Sequence, residues 1–185
     1  MAIRYLRTDE PPSIGDYVAT LARAVKAKLA EHRMSPPTLF CEPGRSIVGD
    51  AGVTLYTVGA IKAIPGIRTY VSVDGGMFEN PRPALYGARY EAVVATRPEA
   101  KPIQTAAVAG RCCESGDVLV WEAQLPEVKP GDVLAMFSTG AYTYSMASNY
   151  NRFPRPAVVL AGGGRTRLVV ERETYDDIIR KDVAL

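Results

Sequence analysis

From Val53 onward the chain is divided into short β-branched segments separated by glycine and proline turns, and this pattern constrains the fold more than any other feature. Eight segments are predicted as strands: Val53 to Lys62, Thr69 to Val73, Tyr90 to Ala95, Thr105 to Ala109, Val118 to Trp121, Val133 to Phe137, Ala157 to Leu160 and Arg167 to Val170. Their spacing predicts an antiparallel β-barrel or sandwich, closed by a short helix near Tyr175 to Lys181. The Gly162–Gly164 run is predicted as a hairpin turn, because no helix follows it.

The first 52 residues have a different pattern. Apolar residues at helical spacing, from Ile14 to about His32, predict an amphipathic helix that Ser13 caps. The apolar run Thr38–Cys41 predicts a short buried strand of the kind found in parallel sheets. Helix, strand and loop in this order resemble the last units of an α/β (TIM-type) barrel, too short to close alone because eight units need roughly 200 residues. We therefore predict an incomplete barrel over 1–52 and a C-terminal β domain over 53–185.

Charge and cysteine content exclude several functional classes. The net charge is only +2 and the basic residues form no stripe, so nucleic acid is not an expected partner. No apolar run reaches the roughly 18 residues of a membrane helix, and the N-terminus has no signal-peptide pattern, which predicts a soluble, cytoplasmic protein. Three cysteines without CxxC spacing predict neither a disulfide framework nor a metal site. The single histidine, His32, lies at a helix end, so a histidine base is not expected.

A loop of charged and turn-forming residues follows the predicted strand at Cys41. Gly44 lets the backbone approach a ligand that a side chain would exclude, and Pro43 stiffens the turn. The Arg45 guanidinium suits a phosphate or carboxylate, and the Glu42 carboxylate suits a protonated ring nitrogen. The loop is therefore a candidate site for an anionic cofactor. The alternative is a surface turn with a solvated ion pair.

Arg82 is the second candidate for ligand binding. It stands between two prolines, which predict an extended, rigid backbone that presents the guanidinium to a carboxylate. It follows the run Asp74-Gly75-Gly76 at the end of a predicted strand. The alternative is a rigid edge loop with an exposed arginine.

Cys113 is the candidate for proton transfer. It lies beside Glu114 in a loop between predicted strands, where nearby positive charge would lower the thiol pKa. Cys112 is predicted to be a small buried residue, and the same inert role is the alternative for Cys113. Residues 140–151, rich in small and hydroxyl side chains, are predicted to line a pocket in which Tyr142 contacts a cofactor.

Taken in order, these motifs resemble those of the diaminopimelate decarboxylase family over nearly the whole chain. The resemblance is carried by Glu42-Pro43-Gly44-Arg45, Asp74-Gly75-Gly76-Met77, Arg82-Pro83-Ala84-Leu85-Tyr86, Cys113-Glu114-Ser115-Gly116-Asp117, Gly140-Ala141-Tyr142 and Asn149-Tyr150-Asn151. It covers only the C-terminal half of such enzymes, which join an α/β barrel holding pyridoxal 5'-phosphate to a β domain of the alanine racemase type. It implies decarboxylation of meso-2,6-diaminopimelate to L-lysine.

The resemblance implies a role for each motif. Cofactor contacts are expected from Glu42, Pro43, Gly44, Arg45 and Tyr142, and substrate contacts from Arg45, Arg82, Tyr86, Glu114 and Tyr142. Glu42 would keep the pyridine nitrogen protonated, so that the ring withdraws electrons as carbon dioxide leaves. At the distal end of the substrate, Arg82 would bind the carboxylate and Glu114 the ammonium group. Cys113 would return a proton to the α-carbon from a loop that crosses a homodimer interface.

One departure from the family is serious. The Schiff-base lysine and the glycine-rich phosphate loop belong to barrel segments that this sequence does not contain, so the chain alone is expected to be inactive and to bind the cofactor weakly or not at all. Two alternatives remain at this point. One is a related decarboxylase for another amino acid or a carrier-bound aminoacyl group, although Cys113 followed by Glu114 favours diaminopimelate over ornithine. The other is a noncatalytic dimerisation or binding module.

Overall fold

The computed structural model describes residues 1–183. Within them lie a six-stranded sheet, a separate two-stranded hairpin and four α-helices. Their bounds in chain order are α1 Ile14–His32, α2 Gly44–Val48, β1 Val53–Ile64, β2 Arg68–Val73, α3 Arg82–Tyr86, β3 Ala92–Val94, β4 Gln104–Ala109, β5 Val118–Leu125, β6 Val133–Phe137, β7 Val158–Gly162, β8 Arg165–Val170 and α4 Tyr175–Ile179. All eight predicted strands and the final helix are confirmed, because β-branched runs between turn residues pack well on a pleated surface.

The order of strands in the main sheet is β3-β6-β1-β2-β4-β5. All neighbours pair antiparallel except β2 and β4, which run parallel with Thr69 opposite Ala106. The prediction of a purely antiparallel sheet is therefore wrong at this pair. The chain between β2 and β4 is too long for a hairpin and carries α3 and β3, and β3 pairs with β6 instead.

The sheet curls toward a barrel because its two edge strands, β3 and β5, lie against each other. The concave side encloses one cluster of apolar side chains. Burying one large apolar side chain stabilises a fold by roughly 1.5–3 kcal/mol relative to leaving it exposed. Deeply buried members of the cluster include Tyr56, Val71, Val94, Val108, Leu119, Leu125, Leu134 and Met136. The loops that leave this rigid frame carry the candidate site.

Helix α1 begins as predicted, at a capping box in which Ser13 and Asp16 satisfy each other's backbone amides. Its apolar residues stay largely exposed, with 55% of Ile14 and 51% of Val18 accessible. The strand predicted at Thr38–Cys41 is wrong: these residues form neither helix nor strand, and 89% of Phe40 is accessible. No strand of the described residues lies alongside to accept their hydrogen bonds, and a lone strand is not stable.

The hairpin β7–β8 turns at Gly163 and Gly164, both of which have positive φ as a tight turn requires. This confirms the prediction for the glycine run. Across residues 1–183, the helices are all too short or too polar to cross a membrane.

Candidate active site

Arg82 lies in a cage of tyrosine rings. Its guanidinium carbon is 5.5 Å from the ring centroid of Tyr5, 5.9 Å from that of Tyr86 and 5.6 Å from that of Tyr142. A guanidinium at such distances is attracted by the electron-rich face of an aromatic ring. The structure thus brings together three of the predicted substrate contacts, and adds Tyr5, which sequence reasoning missed.

The backbone at Arg82 differs from the prediction. Residues 82–86 form the short helix α3, with Pro83 in its first turn and Gly87 in the left-handed conformation at its end. The prediction of an extended segment is wrong because the first turn of a helix needs no donated amide and tolerates proline. The helix directs Arg82 inward, where only 9% of the residue is accessible.

The charge of Arg82 is not neutralised by the protein. Arg82 forms no ion pair within residues 1–183, and its Nε has no hydrogen-bond partner. A cavity of about 320 Å³ opens beside it, lined also by Tyr5 and Tyr86. Buried charges are normally paired, so an unpaired guanidinium beside a cavity is the expected feature of an anion site.

The loop that carries Tyr142 packs against α2, the helix that contains Arg45. The Gly140 amide donates to the Gly49 carbonyl at 2.9 Å, and the Thr139 amide donates to the Gly52 carbonyl at 3.0 Å. A Cβ atom at Gly140 would come within 1.8 Å of the Val48 carbonyl oxygen, so this approach requires glycine. The segment before Tyr142 therefore packs against the C-terminal end of α2, the helix that begins at Gly44 and contains Arg45.

The four cofactor residues predicted at positions 42–45 lie at the start of α2. Pro43 occupies the position just before the helix, Gly44 has open space where a side chain would be, and Glu42 is exposed. Arg45 is half-buried and donates from Nε to the Met1 carbonyl at 3.1 Å. Glu42 and Gly44 are thus open to a ligand, while the Nε of Arg45 already has a protein partner.

Backbone strain is concentrated in the segment that links these motifs. Within residues 1–183, four of the five non-glycine residues with positive φ lie there: Ser138, Tyr142, Asn151 and Arg152. Such conformations cost roughly 1–3 kcal/mol each and persist only where the surrounding structure enforces them. At Tyr142 the strained backbone places a half-exposed ring over Arg82.

Cys113 and Glu114 form a second cluster with the turn at 149–152. The Cys113 amide donates to Asn151 Oδ1 at 2.7 Å, and Tyr150 Oη donates to Glu114 Oε2 at 3.3 Å. Both Cys113 and Glu114 are exposed. The Gly116 amide and the Tyr150 hydroxyl lower the pKa of Glu114, so its carboxylate is ionised at neutral pH and suited to an ammonium group.

Two buried acids, Asp117 and Glu79, lie behind the second cluster and were not predicted as site residues. Asp117 accepts the amides of Met77 and Cys112, each at 2.7 Å. Glu79 accepts the Gly76 amide at 2.9 Å, and burial raises its pKa to about 7, assisted by the charge of Asp117. In the sequence, Asp117 is visible only as the last residue of the Cys-Glu-Ser-Gly-Asp run, and nothing there indicates its burial.

The six motifs thus form two groups within one chain. The first joins the Arg45 loop, the Arg82 helix and Tyr142, and the second joins the Asp74–Met77 loop to Cys113 and Glu114. No hydrogen bond, ion pair or cation–π contact within the described part of the chain connects Arg82 to Cys113 or Glu114. A groove of about 710 Å³ between β3 and β5 contains none of the predicted site residues.

Comparison with known families matches residues 13–140 to the C-terminal sheet domain of pyridoxal-dependent decarboxylases. Diaminopimelate decarboxylase from Halalkalibacterium halodurans is 56% identical over 183 residues, which cover 99% of this chain and 42% of that protein. The enzyme of the same name from Bacillus subtilis is 56% identical over 181 residues, covering 98% of this chain and 41% of the relative. The chain therefore spans about two fifths of the length of these relatives.

Solved structures show the same relationship. Diaminopimelate decarboxylase from M. jannaschii in complex with L-lysine superposes with a TM-score of 0.85 at 36% identity, covering 98% of this chain and 41% of that one. Lysine/ornithine decarboxylase from Vibrio vulnificus, complexed with cadaverine, shares the fold with a TM-score of 0.66 at 22% identity. The similarity extends over both groups of motifs.

Proposed function

Because the chain belongs to the pyridoxal-dependent decarboxylases, we propose that it supplies the C-terminal part of an enzyme that converts meso-2,6-diaminopimelate to L-lysine and carbon dioxide. The remaining part would be an α/β barrel that provides the Schiff-base lysine and the phosphate loop. In this arrangement residues 1–52 are the last units of that barrel and residues 53–185 are the β domain. Relatives of the same name match both segments.

The observation that carries the proposal is the unpaired guanidinium of Arg82. A 9% accessible arginine with an unpartnered Nε beside a cavity needs an anion, and the distal carboxylate of diaminopimelate is one. A planar carboxylate matches the fork of the guanidinium better than a point charge would. Tyr86 and Tyr142 border the same guanidinium and would hold the substrate chain.

The residues at α2 fit pyridoxal 5'-phosphate. Glu42 offers a carboxylate to the pyridine nitrogen, Gly44 leaves open space, and the ring of Tyr142 is 48% accessible. Arg45 and Pro43 belong to the same turn and would lie near the phosphate. When bound, the cofactor supplies an electron-withdrawing ring that stabilises the negative charge developing at the α-carbon as carbon dioxide leaves.

Cys113 and Glu114 complete the site from a second subunit. They lie in a different group from Arg82, and both are exposed, so their loop is free to reach the site of a partner in a homodimer. Glu114 would bind the distal ammonium group. The Cys113 thiol would donate its proton to the α-carbon, leaving a thiolate that solvent reprotonates.

A chimera tests the proposal. The chain is substituted for the matching 41% of the Bacillus subtilis relative, and carbon dioxide release from meso-diaminopimelate is measured with the visible absorbance of bound pyridoxal phosphate. We expect both activity and absorbance. In the same chimera Arg82→Ala should raise KM for diaminopimelate at least about tenfold, because a charge-assisted hydrogen-bonded pair contributes roughly 1.5–3 kcal/mol, while cofactor absorbance is retained.

Arg97→Ala provides the control, since Arg97 pairs with Asp132 away from the predicted site residues. A folded, dimeric chimera that neither releases carbon dioxide nor binds the cofactor would contradict the enzymatic proposal and favour an assembly module. An unchanged KM in Arg82→Ala would remove the substrate role of Arg82.

A further inference from the structure

The side chain of Asp117 connects the two loops that bear the Asp74–Met77 and Cys113–Glu114 motifs. Its Oδ1 accepts the amide of Met77 and its Oδ2 accepts the amide of Cys112, each at 2.7 Å. Only 3% of the residue is accessible, and no basic side chain of residues 1–183 forms an ion pair with it. Both oxygens are thus committed to backbone amides, which is the usual way that a buried carboxylate is stabilised without a cation.

The two glycines around Asp117 are required for this arrangement. A Cβ at Gly76 would come within 2.5 Å of the carboxylate, and a Cβ at Gly110 within 2.2 Å. The loops are also joined directly, because the Arg111 amide donates to the Gly75 carbonyl at 3.0 Å. The carboxylate therefore occupies a space that is shaped for it on both sides.

The consequence for Cys113 follows from its neighbours. The amide of Cys112 is fixed by Asp117, and the amide of Cys113 is fixed by Asn151 Oδ1 at 2.7 Å. Two consecutive peptide groups are thus held by side chains from different parts of the chain. A thiol that must return a proton to one carbon atom needs such control, because misplacement by about 1 Å can cost roughly 100-fold in rate.

We propose that Asp117 is a positioning residue, whose carboxylate fixes the loop of Cys113 and Glu114 against the loop at Met77. The catalytic consequence rests on the function proposed above. The structural consequence, that Asp117 orders both loops, does not depend on that function.

The first test is made on this chain. In Asp117→Asn the side-chain oxygen can still accept one backbone amide, whereas the side-chain NH2 group cannot accept the other. One of the two loops therefore loses its hydrogen bond to residue 117. We expect peptide-resolved hydrogen exchange in 76–78 or 111–114 to accelerate about tenfold or more, the equivalent of one lost charge-assisted hydrogen bond. Alkylation of Cys112 by iodoacetamide should accelerate similarly, because the neutral amide removes the Asp117 charge that helps to raise the pKa of that thiol. Asp132→Asn is the control, since Asp132 also accepts a backbone amide, that of Lys129, at a turn outside the site.

The second test uses the chimera with the Bacillus subtilis relative. Asp117→Asn should lower kcat about tenfold or more while KM for diaminopimelate and cofactor absorbance stay within twofold. Where this variant does not fold, Gly110→Ala serves instead, because its methyl group displaces the same carboxylate.

Unchanged exchange and alkylation, or a lower melting temperature with kcat intact, would overturn the proposal. An inactive parent chimera would contradict the proposed function and leave the exchange and alkylation results to decide the role of Asp117.

Discussion

The thiols of Cys112 and Cys113 occupy different environments although the residues are adjacent. Burial, together with the negative charge of Asp117, raises the pKa of Cys112 to about 12, so this thiol keeps its proton throughout the physiological range. Cys113 is exposed and has only its backbone amide fixed by Asn151. The structure therefore gives a physical basis for assigning reactivity to the second cysteine.

Cys113→Ser in the chimera should lower kcat about 100-fold or more, because a hydroxyl is a much poorer acid than a thiol and general acid catalysis contributes roughly 10²–10⁴-fold. Cofactor absorbance should stay unchanged. Cys112→Ser is the matched control and should leave kcat within about twofold. Equal losses in the two variants, measured by steady-state carbon dioxide release, would contradict the assignment.

Among the structural elements, the turn at 149–152 depends on an anchor that lies far along the chain. Glu173 accepts the Asn149 side chain at 2.7 Å and the Arg155 amide at 2.9 Å, and its Oε1 accepts Arg155 Nε at 2.8 Å. The Arg155 guanidinium and amide lower the pKa of Glu173 to about 2. Glu173 thus stabilises the turn at 149–152, and this turn contacts Cys113 and Glu114.

Glu173→Gln should lower the free energy of unfolding by about 1 kcal/mol at pH 7, the upper range for a partly exposed ion pair. The pKa of Glu173 is lower in the folded state than in the unfolded chain, so its contribution is present above about pH 4.5 and disappears as pH falls toward 2. Urea unfolding at both ends of this range measures the difference. Glu127→Gln, at an exposed pair with Lys129, should have no measurable effect, and an equal loss in both variants would contradict the anchor role.

The elements themselves were largely predictable, whereas their partners were not. Local β-branched runs fixed the positions of the strands, and Ser13 fixed the start of α1. Parallel pairing of β2 with β4 depends on contacts between distant segments, which no local pattern encodes. The helix at Arg82 was missed because proline favours both an extended segment and a first helical turn, and the surroundings decide between them.

The candidate site follows the same division. The chemically distinctive residues, such as Arg82, Cys113 and Glu114, were identified from motifs. Asp117 and Glu79 were missed, since their importance comes from burial. The cage of Arg82 includes Tyr5, which is distant from the other motifs in sequence, so only the folded chain reveals it.

At the scale of the whole molecule, Glu79 makes stability depend on pH. Its pKa is about 7 in the folded chain and near 4.5 when exposed, chiefly because the carboxyl is buried. Between these values the folded state binds more protons than the unfolded state, so stability falls as pH rises and is lowest above pH 7. The difference between the two pKa values corresponds to a change of about 3 kcal/mol in the free energy of unfolding.

Glu79→Gln removes this ionisation while its carbonyl oxygen can still accept the Gly76 amide. The variant should match the parent at pH 4.5 and be more stable by up to about 3 kcal/mol at pH 8. Urea denaturation across this range, followed by circular dichroism, gives the comparison. Glu122→Gln, at an exposed position, should reproduce the parent curve. A parent protein whose stability rises between pH 5 and pH 8, with no gain in Glu79→Gln, would rule out this role.

The pairing of β1 with β6 determines when the site can exist during folding. Val53 lies opposite Phe137, so this ladder closes a loop that contains the Arg82 and Cys113 motifs. Contacts between such distant residues form slowly, because the entropy of the enclosed chain must be lost before they stabilise anything. The candidate site is consequently expected to form late in folding. A nascent chain that ends before β6 would contain most of the candidate site residues, but it would lack the strand pairing that brings them together.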